Sequence, residues 1–317
     1  MKILYIGTPV NYQLWKEGKN PSHWLYGACE MEEEGHEVIW TKEAAKLWND
    51  VKLLCKYRPE LVFIPNLNLK AHALLLSFSV LGFIRTPIFA YLHHTPKVTK
   101  GFKAFFYRFL LSGVKHLFFL SELSMKETIE RNLVKGDKCS MPGWGADEKF
   151  YNRVTKSDNG FFVSTGKEQR DFDILIEAFK RTGAPLKIIT CKSHAGNNFE
   201  KLPEICKEIP NSGDVYPQMI NEMANAKALV CPLLQNKLNY CVGLSTIVDA
   251  EGLRKPLIIT RNPYHSRKRL EPFCVVETVD EWVKAIHEVQ SSSVEIFHSL
   301  CNMRECYANM KPVLFNR

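Results

Sequence analysis

Residues 231–260 read CPLLQNKLNYCVGLSTIVDAEGLRKPLIIT, and this stretch predicts a strand, a loop, a helix and a second strand in succession. The first strand ends at Pro232, the loop runs to Gly243, and apolar side chains at helical spacing follow from Leu244. A second apolar run fills residues 256–260. Strand, helix and strand in this order form the repeating unit of a parallel α/β sheet, so this stretch predicts the fold class.

The same alternation extends outward over the whole chain. Short apolar runs, typical of strands covered on both faces, predict strands at residues 2–6, 37–40, 61–64, 88–92, 116–120, 161–164, 186–190, 228–231, 256–260 and 273–276. A polar stretch at residues 151–160 suits a linker. We therefore predict two Rossmann-like parallel-sheet domains that face a cleft, residues 1–152 and 153–295. The helical segment 296–317 either stays with the second domain or crosses back to the first.

Two local patterns predict helices in the first half. Ser22 suits the N-cap of a helix that carries Leu25, Ala28 and Met31 and ends at Gly35. The longest apolar run, residues 73–84, predicts a buried helix because a membrane span needs about 20 residues. The N-terminal residues lack the basic and apolar regions of a secretion signal, so a cytoplasmic protein is expected.

The composition excludes several classes of protein. Hydrophobic residues make up 45% and charged residues 24% of the 317 residues, a balance that excludes a disordered or fibrous chain. The ten cysteines are scattered without a CxxC pair, which is typical of free thiols in a reducing cytosol rather than of a disulfide framework or a zinc site. The net charge of +8 suits phosphate groups, nucleic acid or acidic membranes as partners, and equally suits simple solubility.

The helix start in the opening stretch predicts an anion site. Gly243 lets backbone approach a ligand closely, and Leu244, Ser245 and Thr246 begin a helix whose free N–H groups and positive dipole end suit a diphosphate. Asp249 lies one turn further on, where a carboxylate can accept hydrogen bonds from the two hydroxyls of a ribose. The alternative is an ordinary capped helix with a surface Asp.

A second segment, residues 162–171, reads FVSTGKEQRD and predicts cations at the carboxyl end of a strand. Gly166 permits a tight turn, after which Lys167 and Arg170 can neutralise a diphosphate, Arg with a bidentate fork. The alternative is a solvated charge pair, with Asp171 capping the following helix.

Basic residues recur in two other places. Residues 97–115 interleave lysine and arginine with phenylalanine and tyrosine, a composition that favours an anionic membrane surface, although part of the helical spacing suits ordinary core. The cluster Arg261, His265, Arg267, Lys268 and Arg269 predicts a solvated loop and helix start.

Several segments in order resemble the retaining GT-B glycosyltransferases of family 4. The segments that carry the resemblance are residues 1–4 (MKIL), 35–38 (GHEV), Ser121, 141–150 (MPGWGADEKF), 166–170 (GKEQR), 173–179 (DILIEAF) and 243–258 (GLSTIVDAEGLRKPLI). The resemblance implies a GT-B fold and transfer of a sugar from a UDP- or GDP-linked donor to an acceptor hydroxyl. It also implies retention of anomeric configuration, without a cofactor or a bound metal.

The resemblance assigns donor contacts in the second half. Lys167 and Arg170 would hold the diphosphate, helped by Ser245 and Thr246 at the helix start. Asp249 stands where the family has a Glu that holds the ribose. Cys241 stands where the family has an earlier Glu that touches the donor sugar, a departure that bears on sugar identity and on activity.

The resemblance also assigns roles in the first half. His93 and His94 end a predicted strand, where the family often places a His near the reacting sugar carbon, and the alternative is a His packed at a loop. Gly7 and Thr8 end the first strand as approach points for the donor. In the loop at residues 15–23 and just beyond it, His23 and Trp24 are the candidate acceptor contacts.

The expected partners follow from this resemblance. They are a nucleotide sugar, a carbohydrate or lipid-linked acceptor in surface polysaccharide or glycolipid synthesis, and an anionic membrane, with peripheral attachment to its inner face as the alternative to a purely cytoplasmic protein. Two other functions stay open. One is a nucleic-acid-base glucosyltransferase of the same fold, and the other is a degenerate protein that binds nucleotide sugar without turnover.

Overall fold

A computed structural model of the chain describes residues 1–41, 47–98, 100–166, 169–190, 215–291 and 301–316, and the backbone of 207–208. The chain forms two compact units. The first contains Met1–Glu17, Ser22–Gly145 and Met303–Arg317, and the second contains Gly18–Pro21 and Ala146–Asn302. The boundary at Gly145 lies close to the predicted boundary after residue 152.

The first unit is built on a parallel sheet of six strands. The strands are β1 Lys2–Tyr5, β2 Glu37–Trp40, β3 Leu61–Ile64, β4 Ile88–Tyr91, β5 His116–Phe118 and β6 Cys139–Ser140, in the spatial order β2-β1-β3-β4-β5-β6. In register, Leu4 lies beside Ile39 on one side and beside Val62 on the other. All residues of β3 and β4 are buried, which explains their uniform apolar sequence.

Helices of the first unit cover this sheet. They are α1 Pro9–Lys16, α2 Ala28–Glu33, α3 Asn49–Tyr57, α4 Ala73–Val80, α5 Gly101–Ser112 and α6 Glu122–Glu130. Ser121 caps α6 by accepting a hydrogen bond from the Ser124 backbone N–H. The apolar run at residues 73–84 forms α4, and no helix in the described part of the chain is long and apolar enough to span a membrane.

The single helix predicted from Ser22 to Gly35 is wrong. A short 3-10 turn, Ser22–Leu25, is followed by Tyr26 and Gly27 with positive φ angles of 52° and 91°. This left-handed backbone interrupts the i to i−4 hydrogen bonds, so α2 starts afresh at Ala28.

The second unit holds another six-stranded parallel sheet. Its strands are β7 Phe162–Thr165, β8 Leu186–Thr190, β9 Lys207–Glu208, β10 Ala228–Cys231, β11 Leu257–Thr260 and β12 Cys274–Val276, in the order β12-β11-β10-β7-β8-β9. The helices among its described residues are α7 Glu148–Tyr151, α8 Phe172–Thr182, α9 Tyr216–Asn225, α10 Leu244–Leu253, α11 Arg267–Leu270 and α12 Val279–Ser291. Trp282 of α12 is completely buried in the core, with Phe162, Leu175 and Ile258.

The final helix, α13 Met303–Phe315, belongs to the first unit. The Tyr91 hydroxyl donates to Met310 Sδ at 3.3 Å, and the Tyr307 hydroxyl donates to Glu34 at 2.8 Å. A Cβ atom at Gly27 would lie 3.2 Å from the Tyr307 ring, so glycine allows this helix to pack closely. Residues 296–300 of the predicted helical segment lie outside the described residues.

The predicted fold class is confirmed, because each unit is a parallel α/β sheet with helices between its strands. Each strand that the apolar runs predict is present to within one or two residues. The cleft between the two domains stays a prediction.

We expect the substitution Met310→Ala to destabilise the first unit by about 2–5 kcal/mol, because a completely buried side chain would leave a cavity. Urea unfolding followed by tryptophan fluorescence measures this, since five of the six tryptophans, at positions 15, 24, 40, 48 and 144, lie in the first unit. The control Lys311→Ala, in the same helix, removes an exposed ion pair with Glu34 and should cost less than about 1 kcal/mol. Equal midpoints for Met310→Ala and the native chain would show that α13 contributes nothing to this core.

Candidate functional site

The second unit has its candidate site where β7 and β10 lie side by side. The sheet order reverses there, because β8 and β9 follow β7 on one side and β11 and β12 follow β10 on the other. In open parallel sheets, ligands bind beyond the carboxyl ends of the strands at such a reversal. The loops that leave these two strands therefore define the site.

Backbone hydrogen bonds tie these two loops together. The Asp171 N–H donates to the Pro232 carbonyl at 3.2 Å, and the Leu234 N–H donates to the Gln169 carbonyl at 3.0 Å. Between them, Arg170 and Leu233 form an isolated antiparallel bridge. The position of Arg170 is consequently fixed by backbone contacts on both sides.

The Arg170 side chain folds back over Gly166. Its Nε donates to the Thr165 carbonyl at 3.3 Å, and its Nη2 donates to Thr246 Oγ1 at 3.4 Å. Gly166 has a φ of +122°, and a Cβ there would lie 2.5 Å from Arg170 Nη2. Only glycine leaves room for the guanidinium, which joins the end of β7 to the first turn of α10.

The start of α10 supplies the second part of the site. Gly243 is its N-cap with a φ of +85°, and a Cβ there would lie 3.2 Å from Leu233 and 3.3 Å from His265. Ser245 and Thr246 lie in the first turn, where backbone N–H groups have no acceptor within the helix. The guanidinium and the positive end of the helix dipole therefore converge on one place, an arrangement that suits an anion.

The structure brings most of the predicted donor residues of the second unit together. Arg170 contacts Thr246 in the first turn of α10, which also contains Ser245 and is capped by Gly243, while the Leu244 side chain is buried. Lys167 lies outside the described residues. Asp171 caps α8 by accepting from the Ile174 N–H at 3.2 Å, a cap that the alternative interpretation of this segment included.

Asp249 is buried and accepts hydrogen bonds from two tyrosines. The hydroxyls of Tyr151 and Tyr216 donate to Asp249 Oδ1 at 2.7 Å and 2.5 Å, and they lie 2.9 Å from each other. Burial raises the pKa of Asp249 to about 6, although the two hydroxyl contacts oppose the rise. The predicted ribose contact stays a prediction, and the two tyrosines share the carboxylate that would make it.

Gly252 explains how Tyr151 reaches Asp249. A Cβ at Gly252 would lie 2.2 Å from the Tyr151 ring, so the ring packs directly on the α10 backbone. Asp249 and Gly252 are three residues apart and share a helix face. The sequence analysis missed these aromatic partners, because Gly252 does not show by itself which ring packs on it.

The basic cluster at residues 261–269 is only partly solvated. Arg269 makes a paired contact with the buried Glu251, Nε to Oε1 at 2.7 Å and Nη2 to Oε2 at 2.5 Å. His265 is also buried, which lowers its pKa to about 4. The prediction of a solvated cluster is wrong for these two residues, because Glu251 neutralises Arg269 inside the unit. Arg267 and Lys268 are exposed.

The loop before α10 is fixed by amide side chains. Asn262 Nδ2 donates to the carbonyls of Asn239 at 2.8 Å and Val242 at 3.0 Å. Cys241 Sγ lies 2.7 Å from Asn239 Oδ1. The Cys241 thiol is therefore held in this turn, and its predicted bearing on the donor sugar stays a prediction.

In the first unit, His93 and His94 follow β4 and differ in exposure. His93 is half-buried, hydrogen-bonded to the Pro65 backbone, with its ring centre 5.4 Å from that of Tyr26. Burial, reinforced by the neighbouring His94, lowers the pKa of His93 to about 4, so the ring is neutral at pH 7. His94 is exposed. The two rings therefore face different surroundings, as adjacent residues at a strand end do.

His23 and Trp24 belong to an aromatic cluster that reaches His93 through Tyr26. The Trp144 indole Nε1 donates to the His23 carbonyl at 2.6 Å, and the ring centres of His23 and Trp24 lie 5.0 Å and 5.1 Å from that of Trp144. Tyr26 stacks on Trp144 at 5.8 Å. His23 is 1% exposed, so its backbone and ring serve packing in this cluster.

Gly7 and Thr8 follow β1 at the point where the first sheet reverses its order. Thr8 is exposed and is the N-cap of α1, while the Gly7 carbonyl accepts from Thr41 Oγ1 at 3.4 Å. Their predicted role toward the donor stays a prediction. Among the described residues, no three His, Cys, Asp or Glu side chains are grouped so that they could hold a metal ion.

No protein-family model matches the chain, and no curated protein sequence matches it. Solved structures do resemble it. HepE from Anabaena, in complex with UDP-glucose, is 11% identical with a TM-score of 0.65 over 100% of both chains. A glycosyltransferase from Rickettsia africae is 13% identical with a TM-score of 0.58, covering 99% of this chain and 98% of its own.

A third similar structure is a UDP-GlcNAc 2-epimerase from Neisseria meningitidis bound to UDP-GlcNAc. It is 9% identical with a TM-score of 0.54, covering 99% of this chain and 100% of its own. At these identities the similarity establishes the fold, which agrees with the two parallel sheets described above.

The raised pKa of Asp249 predicts a pH-dependent difference between the native chain and Asp249→Asn. From about pH 4 to pH 6, folded Asp249 keeps a proton that the unfolded chain has released, so its contribution to stability falls as the pH rises. Asn still accepts from both tyrosines and does not ionise. The free energy of unfolding of Asp249→Asn, relative to the native chain, should therefore rise by about 2–3 kcal/mol across this range.

Urea unfolding followed by far-UV circular dichroism, repeated at several pH values, measures this difference. The control Asp280→Asn removes a carboxylate that is 90% exposed, and its difference from the native chain should stay small throughout. If the free energy of unfolding of Asp249→Asn instead falls relative to that of the native chain as the pH rises, the stated ionisation is contradicted.

Proposed function

We propose that the chain is a glycosyltransferase that moves a sugar from a nucleotide diphosphate sugar to an acceptor hydroxyl. The observation that carries this proposal is the Arg170 guanidinium held against the first turn of α10, at the edge where the second sheet reverses its order. A cation beside a helix N-terminus matches a diphosphate in charge and in hydrogen bonding. The similarity in fold to HepE in complex with UDP-glucose supports UDP as the nucleotide, with GDP as the alternative.

In the proposed reaction, the site stabilises the negative charge that develops on the leaving diphosphate. When the bond between the sugar and the diphosphate breaks, negative charge grows on the diphosphate oxygens. Arg170 and the N–H groups of Ser245 and Thr246 are already fixed in place, so they stabilise this charge without reorganising. Lys167 is proposed as a second cation. Retention of anomeric configuration and independence of metal are part of the proposal and rest on the family resemblance.

Asp249 is proposed to hold the ribose, together with the two tyrosines. One of its oxygens accepts from Tyr151 and Tyr216, which leaves Oδ2 as the oxygen for a ribose hydroxyl. With a pKa of about 6, the carboxyl group is mainly ionised at neutral pH, the state that accepts such a hydrogen bond. A 2′,3′-dideoxy nucleotide should then bind more weakly than its ribose form.

His93 is proposed to act near the transferred sugar as a neutral hydrogen-bonding group. Its pKa of about 4 means that turnover near neutral pH should not depend on imidazole ionisation. The exposed His94 is the alternative. The acceptor is proposed to be a carbohydrate or lipid-linked sugar of surface polysaccharide or glycolipid synthesis, with the half-buried Trp24 close to it, whereas the predicted contact by His23 is not proposed because that side chain is buried.

The donor site can be tested by nucleotide binding. Arg170→Ala should weaken UDP binding about 10- to 100-fold, because a charge-assisted hydrogen bond is worth roughly 1.5–3 kcal/mol. Uridine, which lacks the diphosphate, should lose little affinity. Gly166→Ala should weaken UDP binding in the same direction, because its Cβ would displace the guanidinium. Isothermal titration calorimetry measures all of these affinities.

Gly160→Ala is the matched control for Gly166→Ala. Gly160 also has a positive φ, 76°, but a Cβ there would meet nothing within 4 Å, so it imposes backbone strain without touching Arg170. It should leave UDP affinity unchanged. Equal loss of UDP and uridine binding in Arg170→Ala would show that the cation only supports the fold.

Analysis of the reaction products distinguishes a glycosyltransferase from the alternative functions. Incubation with a radiolabelled UDP-sugar should release UDP, and addition of an acceptor should yield a labelled glycoside. Conversion of the donor to an epimer without release of UDP would instead indicate the chemistry of the 2-epimerases that share the fold. UDP binding without either product would indicate a protein that binds without turnover, and transfer to duplex DNA would indicate the nucleic-acid alternative.

A further inference from the structure

Helix α5 carries an apolar stripe that faces solvent. Phe102, Phe105, Phe106 and Phe109 are spaced i, i+3, i+4 and i+7, which places them on one helix face. Phe102 is 82% exposed, Phe105 64% and Phe106 38%. We call these four residues the phenylalanine stripe.

Phe102, Phe105 and Phe106 lie off the face by which α5 joins the core, whereas Phe109, at the end of the stripe, is partly buried and packs against the core. Ala104, Leu110 and Leu111 are buried and fill that role. Burying one apolar face accounts for an ordinary surface helix, whereas a second face of exposed aromatic rings is costly in water and indicates a binding surface.

A second pair of exposed apolar residues follows the neighbouring helix α4. Leu81 is 60% exposed and Phe83 76% exposed, just after the end of α4. Ser79 Oγ of α4 donates to the Gly113 carbonyl at the end of α5 at 2.8 Å, so the two helices are in direct contact there.

The charge around the phenylalanine stripe has a single sign. Between Glu60 and Glu122 the sequence contains seven lysines and arginines and no aspartate or glutamate. Lys103 and Arg108 flank the stripe on its two sides, and Lys97 and Lys100 precede the helix. Within the described part of the chain, Lys97, Lys100 and Lys103 take part in no ion pair.

We propose that α5 docks on an anionic lipid bilayer, with the phenylalanine stripe inserted at the interface and the flanking lysines on lipid phosphates. Exposed aromatic rings bordered by cations are the composition that binds anionic membranes. A second copy of the chain is disfavoured as the occupant, because a symmetric contact would place Lys100 and Lys103 against their own copies. Nucleic acid would satisfy the cations and leave the phenylalanine rings in water.

The amino end of the phenylalanine stripe lies near the edge of the first sheet at which His93 and His94 follow β4. β4 ends just before His93, and the chain then enters α5, so the amino end of α5 and Phe102 lie toward the carboxyl edge of the strands. If the proposed function holds, a lipid-linked acceptor would reach that edge from the membrane. The docking itself depends on the surface alone, and its test does not measure catalysis.

Vesicle sedimentation tests the docking. The native chain should bind vesicles of 70% phosphatidylcholine and 30% phosphatidylglycerol, bind pure phosphatidylcholine much more weakly, and lose affinity as salt is added. Phe102→Ala combined with Phe105→Ala should lower the partition coefficient about tenfold or more. Lys100→Glu combined with Lys103→Glu should lower it to a similar extent. Phe105→Trp keeps an aromatic ring and should retain binding.

Two control variants match these changes outside the docking surface. Trp48→Ala removes a large aromatic side chain that is 60% exposed at the start of α3, and Lys284→Glu reverses an exposed charge on α12. Both should bind vesicles as the native chain does. All variants alter exposed side chains, and unchanged thermal unfolding in the absence of lipid would confirm that each one folds.

Three results would overturn the proposal. One is equal vesicle binding by the native chain and by the double phenylalanine variant. Another is a dimer in analytical ultracentrifugation that this variant abolishes while no vesicle binding is seen, which would make the surface a self-association face. The third is duplex DNA binding that requires the lysines while vesicles do not bind. UDP affinity should be unchanged in these variants, so failure of docking remains distinct from failure of the proposed function.

Discussion

The parallel pairing of β7 with β10 is the constraint on which the arrangement of the second unit depends. Because the two strands run in the same direction, their carboxyl ends meet at one edge, and the loop with Arg170 meets the loop that leads to α10. Main-chain hydrogen bonds between these loops then fix the backbone of Arg170. The guanidinium needs the space that Gly166 leaves, and the first turn of α10 needs Gly243 for the same reason. A short segment of sheet thereby sets the positions of groups that are distant in sequence.

Much of this fold could be predicted from sequence because the central strands are buried on both faces. The predicted bounds 37–40, 61–64, 186–190 and 228–231 agree with those of the structure. The two-residue strands β6 and β9 were missed, since so few residues at the edge of a sheet leave no hydrophobic pattern. The break at Tyr26 was missed because a left-handed tyrosine is set by tertiary packing against Trp144 and Tyr91, which no local propensity encodes.

The candidate site was likewise predicted from the sequence only in part. Gly166, Arg170 and Gly243 could be predicted from the local sequence. A glycine or a cation next to a strand end or a helix start is recognised from the adjacent residues alone. The partners of Asp249 could not, because Tyr151 and Tyr216 approach it from other elements of the unit. The pairing of Arg269 with Glu251 was hidden for the same reason, and a charge that looked solvated in sequence is neutralised in the fold.

The membership of α13 in the first unit has a consequence for synthesis on the ribosome. Residues 146–302 of the second unit lie between Gly145 and Met303, so the nascent first unit lacks the helix that packs against Gly27 and Tyr91 until these residues have been translated. At typical translation rates this delay is on the order of 10 s, during which the apolar surface awaiting α13 stays uncovered. The second unit can therefore complete its folding before the first unit, although it follows most of the first unit in the sequence. During synthesis, the nascent first unit is the part of the chain that most needs chaperone protection.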